Sequence, residues 1–286
     1  MVLDVAANRA SGLVSMSDKE FKRLSDFIHT EVGIKLPLSK KVMVEARLQK
    51  RLRLLGKNGY RDYFEFLFSA EGLDEELVHL IDVITTNTTE FFREPRHFEI
   101  MTEQTLPMWR SQHGTGRPFR LWSAGCSTGE EPYTLCIVLS EFASRFAGFR
   151  FNVMATDIST RVLAMAQSGI YPEERLAKMS LELKRRYFLR SKDKAKRLVR
   201  VAPELRRIVD YRRLNFMDSF ALPELLDTIF CRNVMIYFDR ATQERLLQKF
   251  CTQLLPGGFL FIGHSESLTG MDLPLRQHAP TVYRKI

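Results

Sequence analysis

Phe119-Arg-Leu-Trp-Ser-Ala-Gly-Cys-Ser-Thr-Gly-Glu-Glu-Pro-Tyr-Thr-Leu135 reads as a buried strand, a glycine turn and the start of a helix. Phe119, Leu121 and Trp122 suit a central strand. Gly125 and Gly129 let the backbone bend sharply and come close to a ligand. Leu135, Ile137, Val138 and Leu139 continue as a helix that can pack on a sheet. In doubly wound α/β folds, the first such turn is where a nucleotide-like ligand sits.

The turn also carries a chemical clue. A phosphate cradle wants several glycines and a lysine or arginine. Here Glu130 and Glu131 follow the second glycine instead. Two carboxylates repel a pyrophosphate and attract an ammonium. S-adenosylmethionine, with its sulfonium, ammonium and adenosine, has the matching chemistry. The same carboxylates also suit a helix N-terminus electrostatically, and this stretch alone leaves both explanations open.

Downstream, Phe151–Ile158 reads as a second strand, with Asp157 at its C-terminal end. A carboxylate there can accept both hydroxyls of a ribose. It is also ordinary turn chemistry, and it gains meaning only beside the glycine turn. Ser159 can cap the helix that follows. Leu225–Phe238 is a buried strand ending in polar residues, and Arg240–Leu255 an amphipathic helix. Pro256–Gly263 is a glycine turn into another strand, with His264, Ser265 and Glu266 at its end, and Thr281–Arg284 a last strand. This alternation predicts an α/β fold, Rossmann-like, with helices on both faces of a mainly parallel sheet. Residues 172–213 interrupt it. Leu181–Phe188 can be helical, and Arg186–Arg190, Arg197–Val201 and Ile208–Arg212 alternate as short strands of a small antiparallel insertion. From Arg175 to Arg213 there are fifteen basic and four acidic residues, which makes this a cationic surface.

Upstream, residues 1–15 look like a loose leader. Ser17-Asp-Lys-Glu20 is a capping box, Met16 can staple onto Phe21, and the helix ends near Gly33. Residues 39–55 predict a helix with a narrow stripe of Val44, Leu48, Leu52 and Leu55. Arg47, Lys50, Arg51, Arg53 and Lys57 crowd the rest of its circumference. Between Lys35 and Arg61 there are nine basic residues and one acidic one, Glu45. So concentrated a charge fits docking to an acidic partner, with solubility as the competing explanation. Tyr60–Ser69 and a helix capped by Asp74 complete an all-helical domain over residues 1–85. Thr85–Pro95 is polar apart from Phe91 and Phe92, which can pin it down, and a helix then runs from Pro95 to about Trp109.

The net charge of +9 calls for an acidic partner: nucleic acid, membrane or protein. No apolar run reaches the roughly 20 residues that span a bilayer, and the N-terminus lacks the pattern of a signal peptide. A cytosolic protein is expected. Cys126, Cys136, Cys231 and Cys251 form no ligand spacing and suit packing. The six histidines suggest no metal site, and His264 suits a structural role.

Three stretches together, GCSTGEEPYTL, IFCRNVMIYF and GGFLFIGHSES, resemble the CheR-type chemotaxis receptor methyltransferases of bacteria. TTNTTEFFRE is similar to that family's interdomain segment. The likeness covers nearly the whole chain beyond the leader. It implies a helical, receptor-docking N-terminal domain (1–85), an interdomain segment (86–95) and a methyltransferase domain (96–286) with a β-subdomain at about 172–213. The implied activity is methyl transfer from S-adenosylmethionine to receptor glutamates, leaving methyl esters and S-adenosylhomocysteine. The implied cofactor contacts are Asn87, Thr89 and Arg93, then Gly125 and Glu130, Asp157, Asn215 and Phe216, and Arg232 and Asn233. The implied partners are the acidic cytoplasmic helices of chemoreceptors, with recruitment to membrane receptor arrays. Some members grip a receptor tether through a glycine-rich loop of the β-subdomain. Here that loop is Ser191–Arg197, without glycine, so tether-independent action is expected. Nothing calls for more than a monomer.

Displacement at a sulfonium needs no metal, and an ordinary glutamate is already ionised near neutral pH. Arg93 is the expected substrate-orienting residue, because a guanidinium matches a carboxylate bidentately. Tyr237 is the second candidate, either as a hydroxyl lining the methyl path or as a packed aromatic. A nucleic-acid methyltransferase is the rival. The Pro-Pro-aromatic motif of amino-directed DNA enzymes is replaced by Cys231-Arg-Asn-Val234, and there is no Pro-Cys pair. RNA stays open on sequence alone, as does a non-catalytic adaptor.

Overall fold

The computed structural model describes residues 15–286. The expected leader, apart from Ser15, lies outside the described residues. The chain divides into two compact units, with the boundary between Thr85 and Thr86.

The first unit is helical. Helix α1 (Asp18–Val32) starts at the Ser17–Glu20 capping box and stops at left-handed Gly33. Met16 and Phe21 are both buried. A 3₁₀ turn, Leu38–Lys40, leads into α2 (Lys41–Leu54), which buries Val44, Leu48 and Leu52. Helices α3 (Tyr60–Leu67) and α4 (Ala70–Ile84) follow. The cap of α4 is Ser69, not Asp74: the Ser69 hydroxyl accepts the Gly72 N–H at 3.1 Å. A Cβ at Gly72 would lie 1.9 Å from the Phe66 carbonyl oxygen, so glycine lets α4 begin hard against α3.

The second unit opens with one helical run in three pieces: α5 (Arg96–Ile100), a π-turn at Met101–Thr105, and α6 (Leu106–His113). Pro107 has no N–H to give the regular ladder, which accounts for the wider turn before it. The main sheet contains β1 (Phe119–Ala124), β2 (Phe151–Asp157), β6 (Val209–Arg213), β7 (Leu226–Cys231), β8 (Leu254–Ile262), β9 (Leu275–Ala279) and β10 (Val282–Lys285). Their order is β6-β2-β1-β7-β8-β10-β9. The five strands from β6 to β8 run parallel, while β10 pairs antiparallel with both β8 and β9. Neighbouring residues of one strand enter opposite cores. Phe230 and Phe261 join the cluster with Tyr133 and Phe98, while Ile229 and Leu260 join that with Leu246 and Phe250. Burial on both faces explains why these strands read as continuous apolar runs. Helices α7 (Glu130–Arg145), α8 (Thr160–Ser168) and α11 (Arg240–Gln253) carry much of the facing surface.

The insertion is smaller than expected. Strands β3 (Ile170–Pro172), β5 (Leu198–Val201) and β4 (Phe188–Arg190) form the small antiparallel sheet in that order, with α9 (Leu181–Tyr187) beside it and α10 (Pro203–Arg206) after it. The third strand expected there, β6, instead pairs in parallel with β2, with Tyr211 opposite Ala155. Alternation marks a strand but not its partner. Pro256–Gly258 is no turn before β8 but lies inside it, where register slips from Leu226↔Leu254 to Thr228↔Phe259. Strand β9 has no counterpart among the sequence expectations. No helix of the described residues is long and apolar enough to cross a membrane.

Candidate active site

The turn after β1 is tied to β2 by two hydrogen bonds, from the Gly125 and Cys126 N–H groups to the Thr156 carbonyl, at 2.8 and 2.9 Å. Gly125 (φ 86°) has a left-handed backbone, and a Cβ there would meet Val234 Cγ2 at 2.4 Å. The Asp157 carboxylate accepts the Ser127 N–H at 2.8 Å and the Ser159 N–H at 3.0 Å. These two backbone bonds fix the orientation of the Asp157 carboxylate at the end of β2.

The segment after Thr85 is pinned onto this turn. Ser127 donates to the Asn87 carbonyl at 3.0 Å, and the Phe92 N–H donates to Thr134 Oγ1 at 3.2 Å. Phe91 packs edge-on against Tyr171 and Phe188 of the small sheet, at 5.1 and 5.4 Å. Arg93 Nη1 donates to the Thr88 carbonyl at 3.0 Å, which holds its half-buried side chain. The Tyr237 hydroxyl donates to the Thr86 carbonyl at 3.4 Å. Arg175 reaches the Thr89 carbonyl at 2.8 Å and lies 3.8 Å from Glu130.

Charge is concentrated and mostly acidic. Glu130 is buried and accepts from Thr128 at 2.6 Å. Burial pushes its carboxyl above the usual range, while Thr128 and Arg175 oppose the shift. Glu131 accepts from Ser123 at 2.7 Å, lies 3.6 Å from Arg232, and is likewise raised by burial. Arg232 Nη2 donates to the Arg93 carbonyl at 2.5 Å. Burial pushes the Cys126 and Cys231 thiols well up, which fits packing rather than nucleophilic roles.

Glu266 is the positioning residue that sequence reasoning missed. It accepts the N–H groups of Asn233, Val234, Met235 and Gly263 at 2.6–3.1 Å. It thereby holds the turn after β7, where Asn233 has φ 58°. Its sequence signals were its place just past β8 and its membership of the GGFLFIGHSES stretch, neither of which pointed to a role. Asn215 bonds within its own turn, to Asp218 and to the Met217 N–H. Phe216 is buried edge-on against Trp122 and Phe250, among the core aromatics. The likeness fixed these two positions by order along the chain rather than by contacts. The histidines gather more than expected: one ligand atom each from Glu94, His97 and His264 lies within 4.8 Å of the others. Burial pushes His97 down to about 3, and Arg232 and His264 add to the shift, so the ring is neutral.

In the helical unit the expected docking set is divided. Arg47 Nη1 donates to the carbonyls of Val83, Ile84 and Thr85 at 3.0–3.3 Å and so caps α4. Arg51 pairs with buried Glu76, and Lys57 lies over the Phe66 ring at 4.4 Å. Three of the five expected docking cations thus have partners within the helical unit. Lys50 and Arg53 are exposed, and so are Val42 and Leu54 of the same helix.

A glycine turn after β1, an acid ending β2 and buried carboxylates in place of a phosphate-binding cation define an S-adenosylmethionine-dependent methyltransferase. The chain belongs to the CheR methyltransferase family. Residues 87–283 match its SAM binding domain, and residues 19–85 match its all-alpha domain. It is 42% identical over 271 residues to a chemotaxis protein methyltransferase of Klebsiella aerogenes, covering 94% of this chain and 90% of that protein. It is 40% identical to the chemotaxis protein methyltransferase of Escherichia coli (94% and 92% covered) and to chemotaxis protein methyltransferase 2 of Pseudomonas aeruginosa (93% and 92%).

Proposed function

We propose that this chain methylates glutamate carboxylates on the acidic cytoplasmic helices of bacterial chemoreceptors, forming methyl esters for chemotactic adaptation. S-adenosylmethionine supplies a methyl group already activated on a sulfonium, so the protein needs no metal for the transfer. Asp157 receives the ribose hydroxyls, and Glu130 the cationic end of the cofactor. Gly125, Asn87, Thr89, Asn215, Phe216, Arg232 and Asn233 complete the assigned cofactor set. Arg93 orients the substrate carboxylate, and Tyr237 lines the path or holds one of its oxygens. The protein's contribution is positioning and exclusion of water.

One observation carries this assignment: Arg232 Nη2 donates to the Arg93 carbonyl while its Nε lies 3.6 Å from Glu131. That link holds the substrate-orienting arginine beside the acid-lined cofactor turn. The chain acts as a monomer in the cytoplasm at receptor arrays and needs no receptor tether, given the glycine-free loop Ser191–Arg197.

The test supplies radiolabelled S-adenosylmethionine with a receptor cytoplasmic fragment or with RNA, then treats the product with mild alkali. A carboxyl ester releases volatile labelled methanol from the receptor arm. Label that stays in RNA, or no label in either arm, overturns the proposal.

A further inference from the structure

Glu94 stands in the turn before α5 with φ 55°, His97 in the first turn of α5, and His264 just past β8. Their hydrogen bonds decide which atoms remain available. Thr281 Oγ1 gives its proton to the Pro280 carbonyl at 2.7 Å. It must therefore accept from His97 Nε2, which lies 2.7 Å away. The tautomer is thereby set, and His97 Nδ1 keeps a lone pair. That lone pair lies 3.5 Å from Glu94 Oε2. Neither atom has a hydrogen-bond partner, and His97 is 1% exposed. The other Glu94 oxygen accepts the His264 N–H at 3.3 Å.

Arg232 Nε, 3.4 Å from Glu94 Oε2, offsets part of its charge, but it makes no hydrogen bond there, and a cation or proton between the two facing acceptors would relieve their remaining repulsion. For a tetrahedral ion with bonds of about 2.0–2.1 Å to nitrogen and oxygen, ligand atoms are roughly 3.3–3.5 Å apart. The Nδ1–Oε2 separation meets that requirement. Thr281 plays the outer-shell part usual for a ligating histidine, accepting its other N–H. The His264 ring centroid is 5.1 Å from that of His97, and the residue is exposed, so a rotamer change can complete the set.

We propose that Glu94 Oε2, His97 Nδ1 and an imidazole nitrogen of His264 form a three-ligand site for a zinc-like divalent ion. Two imidazoles and one carboxylate suit Zn²⁺, Co²⁺ or Ni²⁺ rather than Mg²⁺ or Ca²⁺. The ion takes no part in methyl transfer, although its ligand Glu94 touches Arg232 of the assigned cofactor set. Arg232 Nε, 3.4 Å from the same Glu94 oxygen, opposes the ion and keeps the affinity moderate. That balance suits a site that loads and unloads.

The experiment titrates the untagged, metal-stripped full chain with Co²⁺, followed by visible d–d absorption, and with Zn²⁺ by calorimetry. One equivalent per chain is expected. His264→Ala and Glu94→Gln weaken binding at least about tenfold, whereas His79→Ala, an exposed histidine of the helical unit, leaves it unchanged. His264 is exposed, so its variant keeps the fold, checked by circular dichroism. Absence of saturable binding, or equal affinity in His264→Ala and the parent, overturns the site and leaves a shared proton between His97 and Glu94 as the explanation.

Discussion

Arg51 meets Glu76 side-on: its Nε donates to Oε1 at 3.0 Å, and its Nη2 donates to the other oxygen. The Tyr63 hydroxyl donates to Oε1 at 3.1 Å, and Glu76 is 1% exposed. Removing the guanidinium strands a buried carboxylate, which costs about 3–5 kcal/mol in comparable pairs. Arg51→Ala should therefore lower the denaturation midpoint of the helical unit sharply. Lys50→Ala, one residue away and exposed, should change the unfolding free energy by no more than about 0.5 kcal/mol and leave the midpoint nearly unmoved. Equal midpoints for the two variants would mean that the pair is idle and Arg51 is simply a surface charge.

Glu130 gives a pH prediction with two opposite signs. Its carboxyl is raised by burial, with Thr128 and Arg175 opposing and Tyr171 and Cys126 also facing it. A raised folded pKa means that the native chain takes up a proton where the unfolded chain does not. Its contribution to stability is then present below the unfolded value and lost as pH rises through the folded one. Binding of a cationic amino end runs the other way, because it needs the ionised carboxylate. Affinity for S-adenosylhomocysteine should fall on acidification from about pH 7.5 to about pH 5, starting above the ordinary glutamate range. Glu130→Gln should bind more weakly at neutral pH and lose that slope. Calorimetric titrations that run parallel for both proteins would move the ammonium to another acid.

These cases also show what the sequence could and could not reveal. The strand–turn–helix at Phe119–Leu135, the Ser17 cap and Asp157 at the end of β2 are local patterns, and local patterns survive folding. The partner of a strand is not local. Residues Val209–Arg213 alternate like their neighbours, yet they join β2 rather than the small sheet. Charge counting along α2 gave the right density but could not see that α4 offers Glu76 to Arg51 and three bare carbonyls to Arg47. The Glu266 carboxylate looked like a strand-end residue because its ligands are backbone N–H groups, which carry no side-chain signature. His97 and His264 are 167 positions apart, and only the packing of α5 against β8 makes them neighbours.

The four N–H groups on Glu266 lead to a variant test of the turn after β7. Alanine would leave four donors without an acceptor, and each unmet buried donor costs about 1–3 kcal/mol before water relieves it. Glu266→Ala should destabilise the second unit and weaken cofactor-product binding, because Arg232 and Asn233 lose their fixed backbone. Glu266→Gln keeps one carbonyl oxygen and should fall between the two. Differential scanning calorimetry and titration with S-adenosylhomocysteine read both effects. A Glu266→Ala protein with parental affinity would separate the turn from the cofactor site.

The exposed part of α2 is the last surface to test. With Arg47 and Arg51 occupied internally, Lys50 and Arg53 remain as outward cations, beside Val42 and Leu54 at 74% and 65% exposure. Apolar side chains next to cations suit an acidic amphipathic helix better than a phosphate backbone, which offers no apolar face. Attraction across such a contact is screened beyond a Debye length of about 8–10 Å at physiological salt. Reversing both charges, Lys50→Glu with Arg53→Glu, should raise KM for a receptor fragment severalfold at low salt. It should leave the denaturation midpoint and S-adenosylhomocysteine affinity alone, because neither side chain is buried. Added salt should raise KM of the parent while barely moving that of the double variant. The contrast with Arg51→Ala separates docking from folding, since only the buried pair should change the midpoint. A parent KM that is flat from low to high salt would take this face out of receptor recognition.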